Sequence, residues 1–257
     1  MNIDKKVFRE FYEAEAARFD HQADLYEVGS KHLVAFCRKR LQIVRDWLDK
    51  MKNEGEISTF CDIGTAEGLY LKIARDAFGE QVLAVGGDIA LNYLKKAKAR
   101  TNCEVVLLDA AQLPFGDGSF DVVSCTEVFE HLPDPKRAFA ELARISKRFV
   151  ILSVYGDTIF AKIYVRIFRQ REDGPLGDWG HISQIPMKEI RHWASDSQLR
   201  IKDFTIHGTL GMEGPRILKM PLFLYNSLDR VSSWLLKKVG IYDLSLGRVM
   251  LLVKERE

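Results

Sequence analysis

The stretch Phe60-Cys61-Asp62-Ile63-Gly64-Thr65-Ala66-Glu67-Gly68 decides how this chain is read. An apolar approach through Ile57, Phe60 and Ile63 gives way to a glycine-bearing turn, and then to a helix-like run from Leu69 to Phe78. Strand, tight turn and helix in that order bring a backbone close to a nucleotide-like ligand. Gly64 can adopt the backbone angles a sharp turn needs, and Gly68 leaves room where a Cβ would strike ligand or a neighbouring strand. A glycine pair alone is a weak signal. What strengthens it is an acid at the end of each of the next two strand-like runs.

The first of those runs, Gln81 to Gly87, closes on Asp88, and the second, Cys103 to Leu108, closes on Asp109. Between them Ala90 to Arg100 is rich in Ala, Leu and Lys, all good helix formers. Alternating strand and helix predicts a parallel sheet with the ligand off the carboxyl ends of the strands, where Asp62, Asp88 and Asp109 share one edge. A carboxylate at the second strand end suits ribose hydroxyls. A polar side chain at the third can meet an adenine edge.

From Ile57 to Tyr155 the chain resembles the class I S-adenosylmethionine (SAM)-dependent methyltransferases of the small-molecule type 11 group. The family's acid followed by three alternate glycines reads here Asp62, Gly64, Ala66, Gly68, with alanine in the middle place. The ribose acid matches Asp88, followed by Ile89, and the adenine-contacting position matches Asp109-Ala110. The run Leu113-Pro114-Phe115, then Ser119-Phe120-Asp121-Val122-Val123, matches the family's next segment, and Glu130-His131 matches the pair after the fourth strand. The resemblance implies SAM as cofactor and S-adenosylhomocysteine (SAH) as product. The implied contacts are Asp62, Gly64, Thr65, Ala66, Gly68, Asp88, Ile89, Asp109, Ala110 and Thr126. It covers about two-fifths of the chain and says little about the methyl acceptor.

The rival ligand is NAD, whose acid lies about 20 residues beyond the glycines; Asp88 follows Gly68 by 20, so spacing does not separate the two. The absence of Gly-x-Gly-x-x-Gly and the presence of the Asp109 segment favour SAM. The net charge of +2, from 38 basic and 36 acidic residues, is far from that of a chain devoted to nucleic acid, and none is expected as partner. The basic run Arg38-Lys39-Arg40 reads as the solvated side of a helix. Four scattered cysteines lack metal-site spacing and favour a reducing compartment, and the six histidines are dispersed, so no metal is expected. No apolar run reaches the ~20 residues that span a bilayer, and the first 30 residues are too acidic for a signal peptide, which predicts a cytoplasmic protein.

The 257 residues, 47% of them hydrophobic, suffice for a single α/β domain covered on both faces of a sheet. Residues 1–56 read as N-terminal helices, 57–155 as the cofactor-binding core, and 156–257 as acceptor-side insertions and the last strands. Tyr12 and the pair Phe19-Asp20 resemble the aromatic lid of small-molecule methyltransferases, which excludes water over the site. In the second helix Leu33, Cys37, Leu41, Val44, Leu48 and Met51 form a core stripe. A fourth strand is expected over Phe120 to Thr126, a helix from Pro135 to Ser146 and a fifth strand from Arg148 to Tyr155. A helix from Thr158 to Arg171, a glycine-rich loop to His181 and a helix from Pro186 follow. Strands Leu199 to His207 and Gly247 to Lys254 complete seven, and the family resemblance implies that the last is antiparallel. Between them, Leu222 to Lys238 reads as an amphipathic helix. Packing of its Leu224, Leu228, Val231 and Leu235 on the protein's own core is the default, and capping an apolar acceptor entrance, a membrane contact or a dimer face are the alternatives.

Methyl transfer from a sulfonium asks the protein to align an acceptor atom in a dry site. A hydroxyl acceptor needs a proton acceptor within hydrogen-bond reach, and histidine serves at neutral pH. His181 is placed first for that role and His131 second. The reading is an enzyme methylating oxygen or carbon of a small organic acceptor, one with an apolar part such as a quinone precursor, a lipid or a lipid-linked sugar. The alternative is a SAM-binding partner or sensor without turnover.

Overall fold

The computed structural model describes residues 5–18, 20, 22, 24–155, 185–209, 219–242 and 245–255. The expected helix over Thr158 to Arg171, the loop carrying His181, and Phe19 lie outside these residues.

Seven strands form one sheet: β1 (Thr59–Ile63), β2 (Leu83–Asp88), β3 (Glu104–Leu107), β4 (Phe120–Thr126), β5 (Ser146–Tyr155), β6 (Leu199–His207) and β7 (Gly247–Lys254). Their order across the sheet is β3-β2-β1-β4-β5-β7-β6. The first five run parallel and β7 is antiparallel to both its neighbours. Chain direction across the sheet reverses between β1 and β4, so a crevice opens off their carboxyl ends. The helices are α1 (Lys5–Arg18), α2 (Lys31–Met51), α3 (Leu69–Phe78), α4 (Leu91–Thr101), α5 (Pro135–Ile145), α6 (Met187–Asp196) and α7 (Leu222–Val239).

Both sheet faces are covered. One carries Val123, Val150, Leu152 and Leu252 against Phe139 and Leu142 of α5 and Ile190 and Trp193 of α6. The other carries Phe60, Val122 and Ile151 against Val44, Trp47, Leu48 and Met51 of α2 and Leu71 and Ile73 of α3. β4 is buried along its whole length and β5 from Phe149 to Val154, which is why both read as nearly unbroken apolar runs there.

Two expectations are overturned. Arg40 is not on a solvated side of α2: it is 3% exposed and ion-paired. One turn of a helix cannot hold Arg38, Lys39 and Arg40 all on one face, because successive residues diverge by about 100°. The stripe of α7 is not core either. Leu224, Leu228, Val231 and Leu235 are 39–55% exposed, while Tyr225, Asp229 and Ser233 face inward.

Candidate cofactor and acceptor site

Asp62 ends β1 and is buried; burial pushes its carboxyl up to about 7, against the Ser124 hydroxyl, which donates to Oδ1 at 2.5 Å. The chain then turns under Gly87, whose carbonyl accepts from the N–H groups of Gly64 (2.8 Å) and Thr65 (3.0 Å). Gly64 sits at φ 77°, and a Cβ there would fall 2.2 Å from Val128 Cγ2, so the close approach of this turn to the loop after β4 requires glycine. Gly68, at φ 85°, is needed for a different reason than expected. Its missing Cβ would meet Thr101 and Ala97 of α4 and not a neighbouring strand. Ala66, in the middle glycine's place, also takes a left-handed backbone, at φ 45°.

Asp88 closes β2. Its Oδ2 accepts the Ala66 N–H at 3.0 Å and its Oδ1 the Ala90 N–H at 2.9 Å, which clamps the turn to the start of α4. Burial raises its carboxyl to about 6, opposed by these backbone N–H groups. Each oxygen keeps a second lone pair for a ligand hydroxyl. Asp109 follows β3 and accepts the Ala111 N–H at 2.9 Å.

These residues border a cavity of about 470 Å³. Gly64, Ala66, Asp88, Ile89, Asp109 and Ala110 line it, and so do Tyr12 and His131. Asp62, Thr65, Gly68 and Thr126 do not; they are buried in the strands and turn that shape its floor. Sequence reasoning missed Glu127, Glu15, Tyr93 and Asp134, which also line it. Glu127 had one visible signal: it is the polar residue directly after the fourth strand. Its backbone is left-handed (φ 56°), its Oε1 accepts from Ser153 Oγ at 2.5 Å, and its Oε2 pairs with Arg40 Nη1 at 2.8 Å. Arg40 is itself held by the hydroxyls of Tyr26 (2.7 Å) and Tyr70 (3.3 Å). Glu130, buried behind the wall, is pushed well above the usual carboxylate range by burial and by Glu127 beside it.

The N-terminal segment packs onto this site. Glu13 caps α4, accepting from the N–H groups of Leu91 (2.7 Å) and Asn92 (3.1 Å), and Ala16 packs on Ala90 and Tyr93. Gln22 grips the glycine turn: its side chain donates to Thr65 O (3.2 Å) and accepts from Leu69 N (2.9 Å), and its backbone N–H reaches Glu67 (3.1 Å). The Tyr12 ring meets His131 edge-on at 5.7 Å, and its buried hydroxyl has no hydrogen-bond partner among the described residues.

The charged residues lining the cavity are Glu15, Asp88, Asp109, Glu127 and Asp134; no Lys or Arg is among the described lining residues. That set suits a cation bearing hydroxyls and opposes a pyrophosphate. SAM, with a sulfonium, an ammonium and a ribose diol, fits it.

Residues 61–152 match the family model Methyltransf_11, described as "Methyltransferase domain". A demethylmenaquinone methyltransferase of Renibacterium salmoninarum is 29% identical over 134 residues, 51% of this chain and 54% of that protein. A probable tRNA methyltransferase 9B of Bos taurus is 31% identical over 128 residues, 49% of this chain and 26% of that protein. The chain thus spans about a quarter to a half of the length of these relatives. The fold is shared with the magnesium protoporphyrin IX methyltransferase of Synechocystis PCC 6803, solved with bound SAH, at a TM-score of 0.68 and 19% identity over 98% of this chain and 100% of that one. Residues 61–152 thus match a methyltransferase domain, set in a fold shared with SAM-dependent methyltransferases.

Proposed function

We propose that this protein transfers a methyl group from SAM to oxygen or carbon of a small organic acceptor with an apolar part. The observation that carries the reading is the cavity wall, acidic throughout its charged residues and centred on Asp88 at the end of β2. Asp88 would accept from the ribose hydroxyls, and Asp109 with Ala110 would border the adenine. Bound there, SAM supplies a methyl group on a cationic sulfur that leaves as a neutral thioether.

The remaining work falls to the chain's own side chains. Tyr12 and His131 meet at one part of the wall, with Glu127 in the same lining. The Tyr12 hydroxyl would orient the acceptor by hydrogen bond. His131 or Glu127 would take the proton from an acceptor hydroxyl as its oxygen gains the methyl group. His181 is retained as the alternative base. Tyr12, Phe8 and Leu33 close the wall against water, and α1 with Gln22 would act as the lid.

Two named relatives point to different acceptors, a quinone precursor in one and tRNA in the other. The acidic lining supports the small acceptor, since a phosphate backbone would meet five carboxylates. Incubation with methyl-labelled SAM, a demethylated quinone precursor, a lipid-linked sugar and bulk tRNA distinguishes them. Label passing to an organic-soluble product is expected. Label in tRNA, or NAD binding without SAM binding, would overturn the reading. SAM binding with no transfer to any of these acceptors would support a partner or sensor role.

A further inference from the structure

Helix α7 is amphipathic in the opposite sense to a helix packed on a core. Apart from Leu236, which packs on the core, its inward side holds Tyr225, Asp229 and Ser233, all buried. The Asp229 carboxylate takes Lys39 Nζ at 2.7 Å and the Thr209 N–H at 2.8 Å, and these polar contacts hold the helix against β6 and α2. Its outward side is apolar: Phe223 is 74% exposed, Val231 and Trp234 55%, Leu235 49% and Leu228 42%. Val239 (65%) at its C-terminus and Ile241 (46%) just beyond continue it. Over the helix length of about 27 Å this is a larger apolar surface than a soluble face ordinarily leaves to water.

The charge is one-sided as well. Between Lys219 and Tyr242 the bases are Lys219, Arg230, Lys238 and Lys237, the last turned in to the Phe204 carbonyl, and Asp229, neutralised inside by Lys39, is the sole acid. Lys238 Nζ lies 4.3 Å over the Trp234 ring, so a cation and an amphipathic indole stand together at one end of the face. A second copy of the chain would set these bases against themselves. An RNA surface would leave Leu228, Val231 and Leu235 without apolar partners. An anionic lipid surface satisfies both halves: bases meet headgroups, and leucines and tryptophan enter the acyl boundary.

We propose that α7 docks this protein, side-on, to an anionic lipid bilayer. The inward side of α7 neighbours one wall of the cavity. His32 at the start of α2 contacts Met220 O at 3.1 Å and the Tyr225 ring at 5.1 Å, and the next residue, Leu33, lines the cavity. The proposal goes beyond the methyl-transfer reading and does not require it.

The test is co-sedimentation of the full chain with vesicles of phosphatidylcholine alone and of phosphatidylcholine with about one-third phosphatidylglycerol. Binding to the mixed vesicles that weakens with salt is expected, with quenching of Trp234 fluorescence by brominated lipid that Trp234→Phe removes. Val231→Asp with Leu235→Asp should lower partition by about tenfold or more, and Arg230→Gln with Lys238→Gln by about tenfold on the mixed vesicles only. Circular dichroism melting checks that each variant is folded, and the charge pair carries the test should the double aspartate variant not fold. No partition by the wild-type chain overturns the proposal, and so does partition unchanged in the charge variant. A dimer by light scattering that Val231→Asp with Leu235→Asp dissolves, with vesicle binding intact, overturns it in favour of a self-interface. Binding of tRNA in place of vesicles overturns it in favour of nucleic acid.

Discussion

Asp88 joins two roles at one side chain. It clamps the glycine turn through the Ala66 and Ala90 N–H groups and faces the cavity with its remaining lone pairs. Its carboxyl sits at about 6 and that of Asp62 at about 7, both raised by burial from 3.8. A proton is therefore held more tightly in the folded chain than in the unfolded one. The stability these groups lend is fully present below about pH 4 and lost as pH rises through 6 and 7. The contribution of these two groups should accordingly lower the melting temperature of ligand-free protein as pH rises from about 4 to 8, and Asp88→Asn should flatten that part of the profile. In the proposed complex, hydrogen bonds from ribose hydroxyls would favour the ionised carboxylate, so SAM affinity by calorimetry should fall up to about tenfold per pH unit below 6. Asp88→Asn should weaken SAM binding by roughly 1–3 kcal/mol and remove that dependence. At Ala66 the left-handed backbone costs a non-glycine residue about 1 kcal/mol, so Ala66→Gly should raise stability by up to that amount in denaturant melts. Arg40 faces Glu127 from inside the protein, and Arg40→Met would strand a carboxylate that is 20% exposed. A loss of about 3 kcal/mol is expected, and Arg40→Met with Glu127→Gln should recover part of it.

Helix α1 supplies at the element scale what α4 lacks. Ala90, at the N-cap of α4, has no side-chain acceptor, and Glu13 provides it from another helix. Asp20 adds ion pairs to Lys96 (2.9 Å) and Arg100 (3.2 Å), all partly exposed and therefore weak. Phe8, Tyr12 and Ala16 pack the segment down, and its polar ties are the Glu13 cap, exposed ion pairs and the Gln22 hydrogen bonds. Deleting residues 1–20 should abolish turnover while the sheet keeps its circular dichroism and cooperative melting. Full activity in the truncated chain would remove the lid role. Gln22→Ala should raise the KM for SAM more than it changes melting, because Gln22 holds the glycine turn and the first N–H of α3.

The whole molecule presents an acidic cavity at one edge of the sheet and a basic, apolar helix on its outside. A cationic ligand that binds only the folded chain stabilises it by mass action, about 2.7 kcal/mol at one hundred times its dissociation constant. SAM and SAH should therefore raise the melting temperature by several degrees, SAM more than neutral-sulfur SAH at low salt, whereas NAD should leave it unchanged. A shift with NAD equal to that with SAM would contradict the charge argument.

Local chemistry wrote most of the architecture into the chain. β4, β6, β7 and α3 fall where apolar runs, glycines and helix formers place them, because a strand buried on both faces admits few polar residues and a helix stops at glycine. Asp88, Asp109 and Gly64 were legible for the same reason, since each ends a strand or makes a turn. What α7 and Arg40 do was not legible. A stripe at helical spacing shows that a helix has two faces and leaves open which one turns inward. Asp229 found Lys39 and the Thr209 N–H, residues 190 and 20 positions away in the chain, and those contacts turned the leucines outward. Arg40 found Glu127 across 87 positions, and Glu13 found the open end of α4 across 78. Pairings at such separations are set by which surfaces the sheet order brings together. That order follows from packing of the whole chain, and no window of neighbouring residues contains it.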